Sequence, residues 1–140
     1  MELIHSLDGG LPTGLKQEPG IYELVALDKA GKLVPIPRVC GVDRRGVLYI
    51  GQTVNLFRRM LRLYRRRHIA TVVYSNRPKI RRLAPKLGVR YTPCEALPKD
   101  EELKRLTRYV DQFGELPPLN TQAFPSDKIP NALTFRTVRR

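Results

Sequence analysis

Two short runs in this 140-residue chain put a tyrosine beside a glycine at one end of an apolar stretch: Gly20-Ile21-Tyr22 and Tyr49-Ile50-Gly51. A glycine on a strand admits another backbone or a phosphate at close range, and a phenol donates or accepts a hydrogen bond. Just beyond the second run, Arg58 and Arg59 offer guanidinium forks that suit two phosphate oxygens at once. Asp100, Glu101 and Glu102 supply carboxylates. One inward carboxylate can anchor Mg²⁺, with waters and a substrate phosphate completing the shell. Each residue taken singly also has an ordinary role. A strand-end tyrosine can simply be solvated, acids favour a helix's first turn, and a histidine at a helix end is a favourable terminal charge. Asn120, after Pro117-Pro118-Leu119, reads equally well as a turn residue. Taken together, these residues form a set suited to phosphate chemistry.

The elements that must position this set follow from periodicity. Residues 1–19 form a lead-in punctuated by Gly9-Gly10, Leu11-Pro12 and Pro19-Gly20. Ile21 to Leu27 is a strand, Leu33 to Val42 an extended edge piece limited by Pro35 and Pro37, and Val47 to Ile50 a short apolar strand. Leu56, Phe57, Met60, Leu61 and Tyr64 recur at helical spacing and predict one buried stripe. A second, shorter helical pattern carries Ile80, Leu83 and Leu87 and ends at Gly88. Val89 to Leu97 follows as a strand, and a helix from Asp100 carries Leu103, Leu106, Val110 and Phe113 and closes at Gly114. On that last helix Glu102 lies roughly 60° from the apolar direction and Glu101 roughly 160°. Glu102 is therefore expected to face the sheet and Glu101 the solvent. Residues 115–140, rich in proline, should wrap the surface with little regular structure. The fold class is α+β: an antiparallel sheet of about three strands, plus the edge piece, flanked by helices.

Composition narrows the partners. At 16.1 kDa, 41% hydrophobic and 28% charged, the chain has material for one ordinary hydrophobic core. No apolar run is long enough for a transmembrane helix. Met1 to Gly10 carries acids and a glycine pair where a signal peptide needs an apolar core, so a soluble cytoplasmic domain is expected. The formal charge is +13, and it is segregated. Arg44 to Cys94 holds fourteen Lys and Arg with no acid, while the other 89 residues hold twelve basic and thirteen acidic groups. Such a segment points to a polyanion, and nucleic acid suits it better than an anionic membrane, for want of a large interfacial apolar face. Cys40 and Cys94 stand alone in strand-like runs, where small buried hydrophobes are expected and no zinc site is.

In order and spacing, Gly20-Ile21-Tyr22 and Leu48-Tyr49-Ile50-Gly51-Gln52-Thr53-Val54-Asn55-Leu56-Phe57-Arg58-Arg59 resemble the GIY-YIG nuclease family. The resemblance runs from about Gly20 to Pro117-Pro118-Leu119-Asn120 and implies a nuclease domain over 20–120, with 121–140 as a basic irregular tail. It implies a Mg²⁺-dependent endonuclease hydrolysing DNA phosphodiester bonds, with Mn²⁺ as a substitute and no small-molecule cofactor. The family arginine, eight residues past the second glycine, falls on Arg59, which would clamp the scissile phosphate. Tyr22 would orient or deprotonate the attacking water, and Tyr49 would hydrogen-bond the phosphate or water network. Glu102 would hold the metal. Gly51, Arg58, Arg62, Arg66, His68 and Asn120 complete the expected contacts with substrate. A tyrosine base would need its pKa lowered by the cationic surroundings.

Two features depart from the family pattern. Where many members carry His or Tyr four residues after the arginine, this chain has Leu63, and Tyr64 and His68 are the alternatives. The signatures are also far apart, with 27 positions between Tyr22 and Tyr49, and the Leu33–Val42 insertion fills the gap. Two other functions remain: an inactive nucleic-acid-binding module on the same fold, and a basic RNA-binding structural protein, for which only the charge argues. A single site cuts one strand at a time, so double-strand cleavage would need a homodimer, a protein partner or two successive events.

Overall fold

The computed structural model describes residues 3–95 and 97–120. The expected tail, 121–140, lies outside them. In chain order the elements are β1 (His5–Ser6), β2 (Gly20–Leu27), β3 (Ile36–Arg38), β4 (Gly41–Asp43), β5 (Val47–Thr53), α1 (Leu56–Tyr64), α2 (Ile69–Ser75), α3 (Pro78–Leu83), β6 (Lys86–Pro93) and α4 (Pro98–Phe113). A four-stranded antiparallel sheet runs β1-β6-β2-β5, and β3 and β4 form a separate two-stranded ribbon. The class is α+β.

Eight consecutive buried residues make β2 the central strand, and its side chains feed both faces of the sheet. Tyr22, Leu24 and Ala26 join Leu56, Met60, Leu63, Ala70 and Tyr74 in the larger core, beneath α1 and α2. On the opposite face Val47 and Ile50 pack against Leu106, Tyr109, Val110 and Phe113 of α4. Leu24 pairs with Tyr49 but Val25 with Val47, so Leu48 is the extra residue of a bulge. That shift places Leu48 and Tyr49 in the same core.

Several expectations are corrected. The lead-in is not wholly irregular: β1 adds to the free edge of β6, and Leu7 is buried. Leu33–Val42 is not one edge strand: β3 pairs antiparallel with β4, Arg38 opposite Gly41, and the chain reverses at Val39-Cys40. Cys40 sits at that reversal and is exposed, and Cys94 is half-buried, so neither is a core hydrophobe. Leu63, not Phe57 or Leu61, fills the core face of α1. The second helical pattern stops at Leu83, and Leu87 and Gly88 belong to β6. Helix α4 starts at Pro98, whose missing N–H costs nothing in a first turn, rather than at Asp100. Its Leu103 is exposed, and Tyr109 takes the expected place in the stripe.

Candidate functional site

Tyr22 and Gly51 are direct cross-strand partners on β2 and β5. The glycine has a steric reason. A Cβ on Gly51 would lie 2.5 Å from both Cζ and Oη of Tyr22 and 2.7 Å from Cε2 of Tyr49. Only a bare Cα lets the Tyr22 ring lie across β5. Gly20 is constrained in the same way, since its Cβ would lie 2.6 Å from the Leu56 side chain and 2.7 Å from the Thr92 carbonyl. The two glycine–tyrosine signatures thus pack the phenols between the sheet and α1. The ring centroids of Tyr22 and Tyr49 are 6.1 Å apart.

Helix α1 begins two residues after β5, capped by the Asn55 side chain, which accepts from the Arg58 amide at 3.0 Å. One turn in, Arg59 folds back over the Tyr22 ring, its guanidinium carbon 5.6 Å from the centroid. Its Nη1 donates to Tyr22 Oη at 2.7 Å and to the Gln52 carbonyl at 3.4 Å. Among the described residues its Nε and Nη2 donate to nothing, and the side chain is half-exposed. One end of the fork is anchored and the other faces outward.

His68 completes the cluster. It is the N-cap of α2, and its Nδ1 accepts the Ala70 amide at 3.0 Å. That hydrogen bond places the single proton of a neutral imidazole on Nε2, which donates to Tyr22 Oη at 2.9 Å. The 3.3 Å approach of Arg59 Nη1 to His68 Nε2 is then between two donors sharing one acceptor. Burial, with Arg59 and then Arg62 adding like charge, holds the His68 pKa down to about 4. The ring therefore stays neutral at physiological pH and is no terminal charge. The ring stands nearly perpendicular to those of Tyr49 and Tyr22, at centroid distances of 5.4 and 5.9 Å. Of the two alternatives for the group absent at Leu63, His68 joins the site. Tyr64 does not: its hydroxyl is buried with no hydrogen-bond partner among the described residues, and burial pushes its pKa up to about 12.

The tyrosines are not tuned as bases. Burial raises the Tyr22 pKa, against the lowering effect of Arg59, and burial raises Tyr49 as well, with the Tyr22 phenol adding to it. The expected lowering by cations is present but outweighed by desolvation. Glu102 also acts on both phenols, its negative charge raising each. It thus lies within electrostatic reach of the pair. Glu101, one residue earlier, turns the other way: it bonds Arg105 at 3.4 Å and faces the side of α4 away from the tyrosines rather than open solvent.

Among the expected substrate contacts, Arg58 and Arg62 are exposed with no ion pair among the described residues. Arg66 pairs with Asp8 at 2.9 Å on the surface. Asn120 is corrected. It is fully buried, its Oδ1 accepting the Ile50 amide and its Nδ2 donating to the Ile50 carbonyl, both at 2.9 Å. That is a clasp on β5, and full burial keeps the remaining amide proton from a phosphate. Gly51 is a packing requirement before it is a contact.

Among the described residues no group of three or more His, Cys, Asp or Glu is placed to hold a metal. A single half-exposed carboxylate, Glu102, is compatible only with a hard cation that keeps most of its waters, which is how Mg²⁺ binds beside phosphates.

A buried polar network on the opposite face had no counterpart in the sequence reading. Glu23, next to the first signature on β2, binds Arg90 at 2.6 Å and Arg45 at 3.3 Å, and Arg105 approaches to 3.9 Å. The available signal was a lone acid inside an otherwise apolar strand.

Fold and site together define a small α+β domain with a buried Tyr–Arg–His cluster opening toward arginines and one carboxylate. No protein-family model matches the chain, nor does any curated protein or solved structure.

Proposed function

We propose that the chain is a Mg²⁺-dependent endonuclease of the GIY-YIG type, hydrolysing DNA phosphodiester bonds. The observation that carries this is the convergence of Arg59 and His68 on the Tyr22 hydroxyl, with Glu102 acting on both phenols. Arg59, held by Nη1, presents Nε and Nη2 as a pre-oriented fork for two phosphate oxygens. Tyr22 and His68 fix that fork without charge of their own. Tyr49 closes the pocket floor beside them. Glu102 is the residue that would hold Mg²⁺, or Mn²⁺ in its place. The bound ion would neutralise charge at the phosphate and the leaving oxygen. Arg58 and Arg62 add sequence-independent backbone contacts. Cys40 and Cys94, present as thiols, suit the reducing cytoplasm we assign to it. Cutting both strands would take a homodimer or a protein partner.

One observation favours a second reading, a nucleic-acid-binding module without chemistry. The Tyr22 pKa is raised, and the sole lone pair of the neutral His68 ring is taken by the Ala70 amide, so neither supplies a ready base. Supercoiled-plasmid cleavage separates the two. Mg²⁺-dependent nicking that EDTA stops, that Glu102→Ala abolishes, and that Arg59→Lys cuts by about 10²–10³ supports the nuclease. Binding without nicking under any divalent ion supports the module.

A further inference from the structure

The β3–β4 ribbon and α4 enclose a cavity of about 480 Å³ on the face of the sheet opposite the tyrosine cluster. The cross-strand alternation keeps the two sites apart. Glu23, Val47 and Ile50 point into this cavity, whereas Tyr22, Tyr49 and Gly51 share the other face. A nucleotide unit fits within this volume. Arg44, Arg45, Arg105 and Arg108 all line it.

Every acid in its wall is already engaged. Glu23 is bound by Arg90 and Arg45, and Glu101 by Arg105. Asp43 accepts the Tyr109 hydroxyl at 2.9 Å and the amides of Arg45 and Val47 at 2.9 and 3.0 Å. Arg44 and Arg108 are exposed and have no hydrogen bond or ion pair among the described residues. The surplus in the cavity is therefore cationic and forked, suited to a phosphate. Tyr109 and Phe113 line it too, both largely buried, with ring centroids 4.7 Å apart and planes tilted by 52°, an apolar aromatic patch beside the cations. Strand β4 supplies Val42 and Asp43, and the turn after it Arg44.

We infer that this cavity is a second binding site, for a nucleotide unit whose phosphate is held by Arg44 and Arg108 and whose base lies against the Tyr109–Phe113 patch. The phosphate comes either from a free nucleoside monophosphate or from a strand that also reaches the tyrosine site. The site stands independently of cleavage, because its residues are separate from the Tyr22–Arg59–His68 cluster.

The test is binding in EDTA, so that no strand is cut. The probes are deoxyadenosine 5′-monophosphate, a ten-nucleotide single strand and a ten-residue polyglutamate. Wild-type protein is compared with Arg44→Ala/Arg108→Ala, in which both substituted side chains are on the surface and the fold is checked by its melting curve. The amide resonance of Gln112, which lines the cavity, reports occupancy. If the strand is the source, monophosphate and single strand both weaken about tenfold or more, and the salt slope of strand binding falls by about 0.7 for the one phosphate lost. Loss of monophosphate binding with strand binding unchanged supports the site with a free nucleotide as its ligand. Equal binding of both nucleotide probes by wild type and variant overturns the inference. So does polyglutamate that shifts Gln112 as strongly as the nucleotides do. Nicking by wild type alongside an unchanged variant would sink this site and leave the nuclease standing, and the converse pattern would do the reverse.

Discussion

Replacing His68 with asparagine isolates the protonation state on which the cluster depends. Asparagine is a good N-cap and can still accept the Ala70 amide, but it does not titrate and its shorter amide falls short of Tyr22. At pH 7.5 the variant should lose about 1–2 kcal/mol, for one buried hydrogen bond and the small void left behind. Acidification then acts on the wild type alone. The folded His68 titrates at about 4, below the ordinary 6.5, so between those values the unfolded chain binds a proton that the folded chain refuses. Wild-type stability falls with falling pH across that window, by up to about 1.4 kcal/mol per unit and about 3 kcal/mol in all. The difference between the two proteins should therefore shrink below pH 6.5 and change sign near about pH 5. Urea unfolding from pH 7.5 to 4.5 measures it, and carboxylate titrations common to both proteins cancel in the difference. A gap constant with pH, or a His68 ring that titrates near 6.5 by NMR, would refute the assigned tautomer and the neutral cluster with it.

Gly51→Ala forces a methyl into the 2.5 Å gap beside Tyr22 and should cost about 1–3 kcal/mol, lowering the melting temperature by several degrees. An unchanged melting temperature would show that the phenols yield freely. Asn120→Ala removes both bonds to Ile50 and should cost about 1–3 kcal/mol, with faster hydrogen exchange at the Ile50 amide. Unaltered protection there would exclude the clasp. Glu23→Ala strands the buried Arg90 guanidinium without its carboxylate and should destabilise by about 3–5 kcal/mol in urea titration. A loss below 1 kcal/mol would mean that Arg90 finds another partner or water.

What the sequence made legible was what local pattern and spacing dictate. Strands Ile21–Leu27 and Val47–Ile50 are runs of apolar and β-branched residues that propensity identifies, although β5 continues through Gly51 to Thr53, and the spacing that the resemblance supplies led to Arg59. The inward position of Glu102 followed from helical period, and adding Tyr109 to the buried stripe moves its centre closer to Glu102. Other features needed tertiary context. Ile69–Ser75 is rich in β-branched residues and carries no helical stripe, yet it forms α2 because His68 caps it and Ala70, Thr71 and Tyr74 face the core. The capping ring is the one that reaches Tyr22, and helical spacing from Arg59 gives no sign of it. Leu63 looked like a gap in the site, whereas its side chain is core. The cavity under the ribbon joins residues 60 positions apart, such as Arg44 and Arg108, and no local window contains both.

The clasp at Asn120 also bears on assembly. Strand β5 is the outer strand of the sheet, and an outer strand ordinarily offers a row of unmatched amides and carbonyls to any passing chain. Here the Leu119 amide takes the Leu48 carbonyl, and the Asn120 side chain takes both backbone groups of Ile50. The molecule plugs its own seam with a segment some seventy residues downstream. At the other margin β1 pairs through only two residues. A second copy would therefore find little free backbone along Leu48–Ile50 of β5, whereas β1 leaves the outer edge of β6 beyond Val89 uncovered among the described residues.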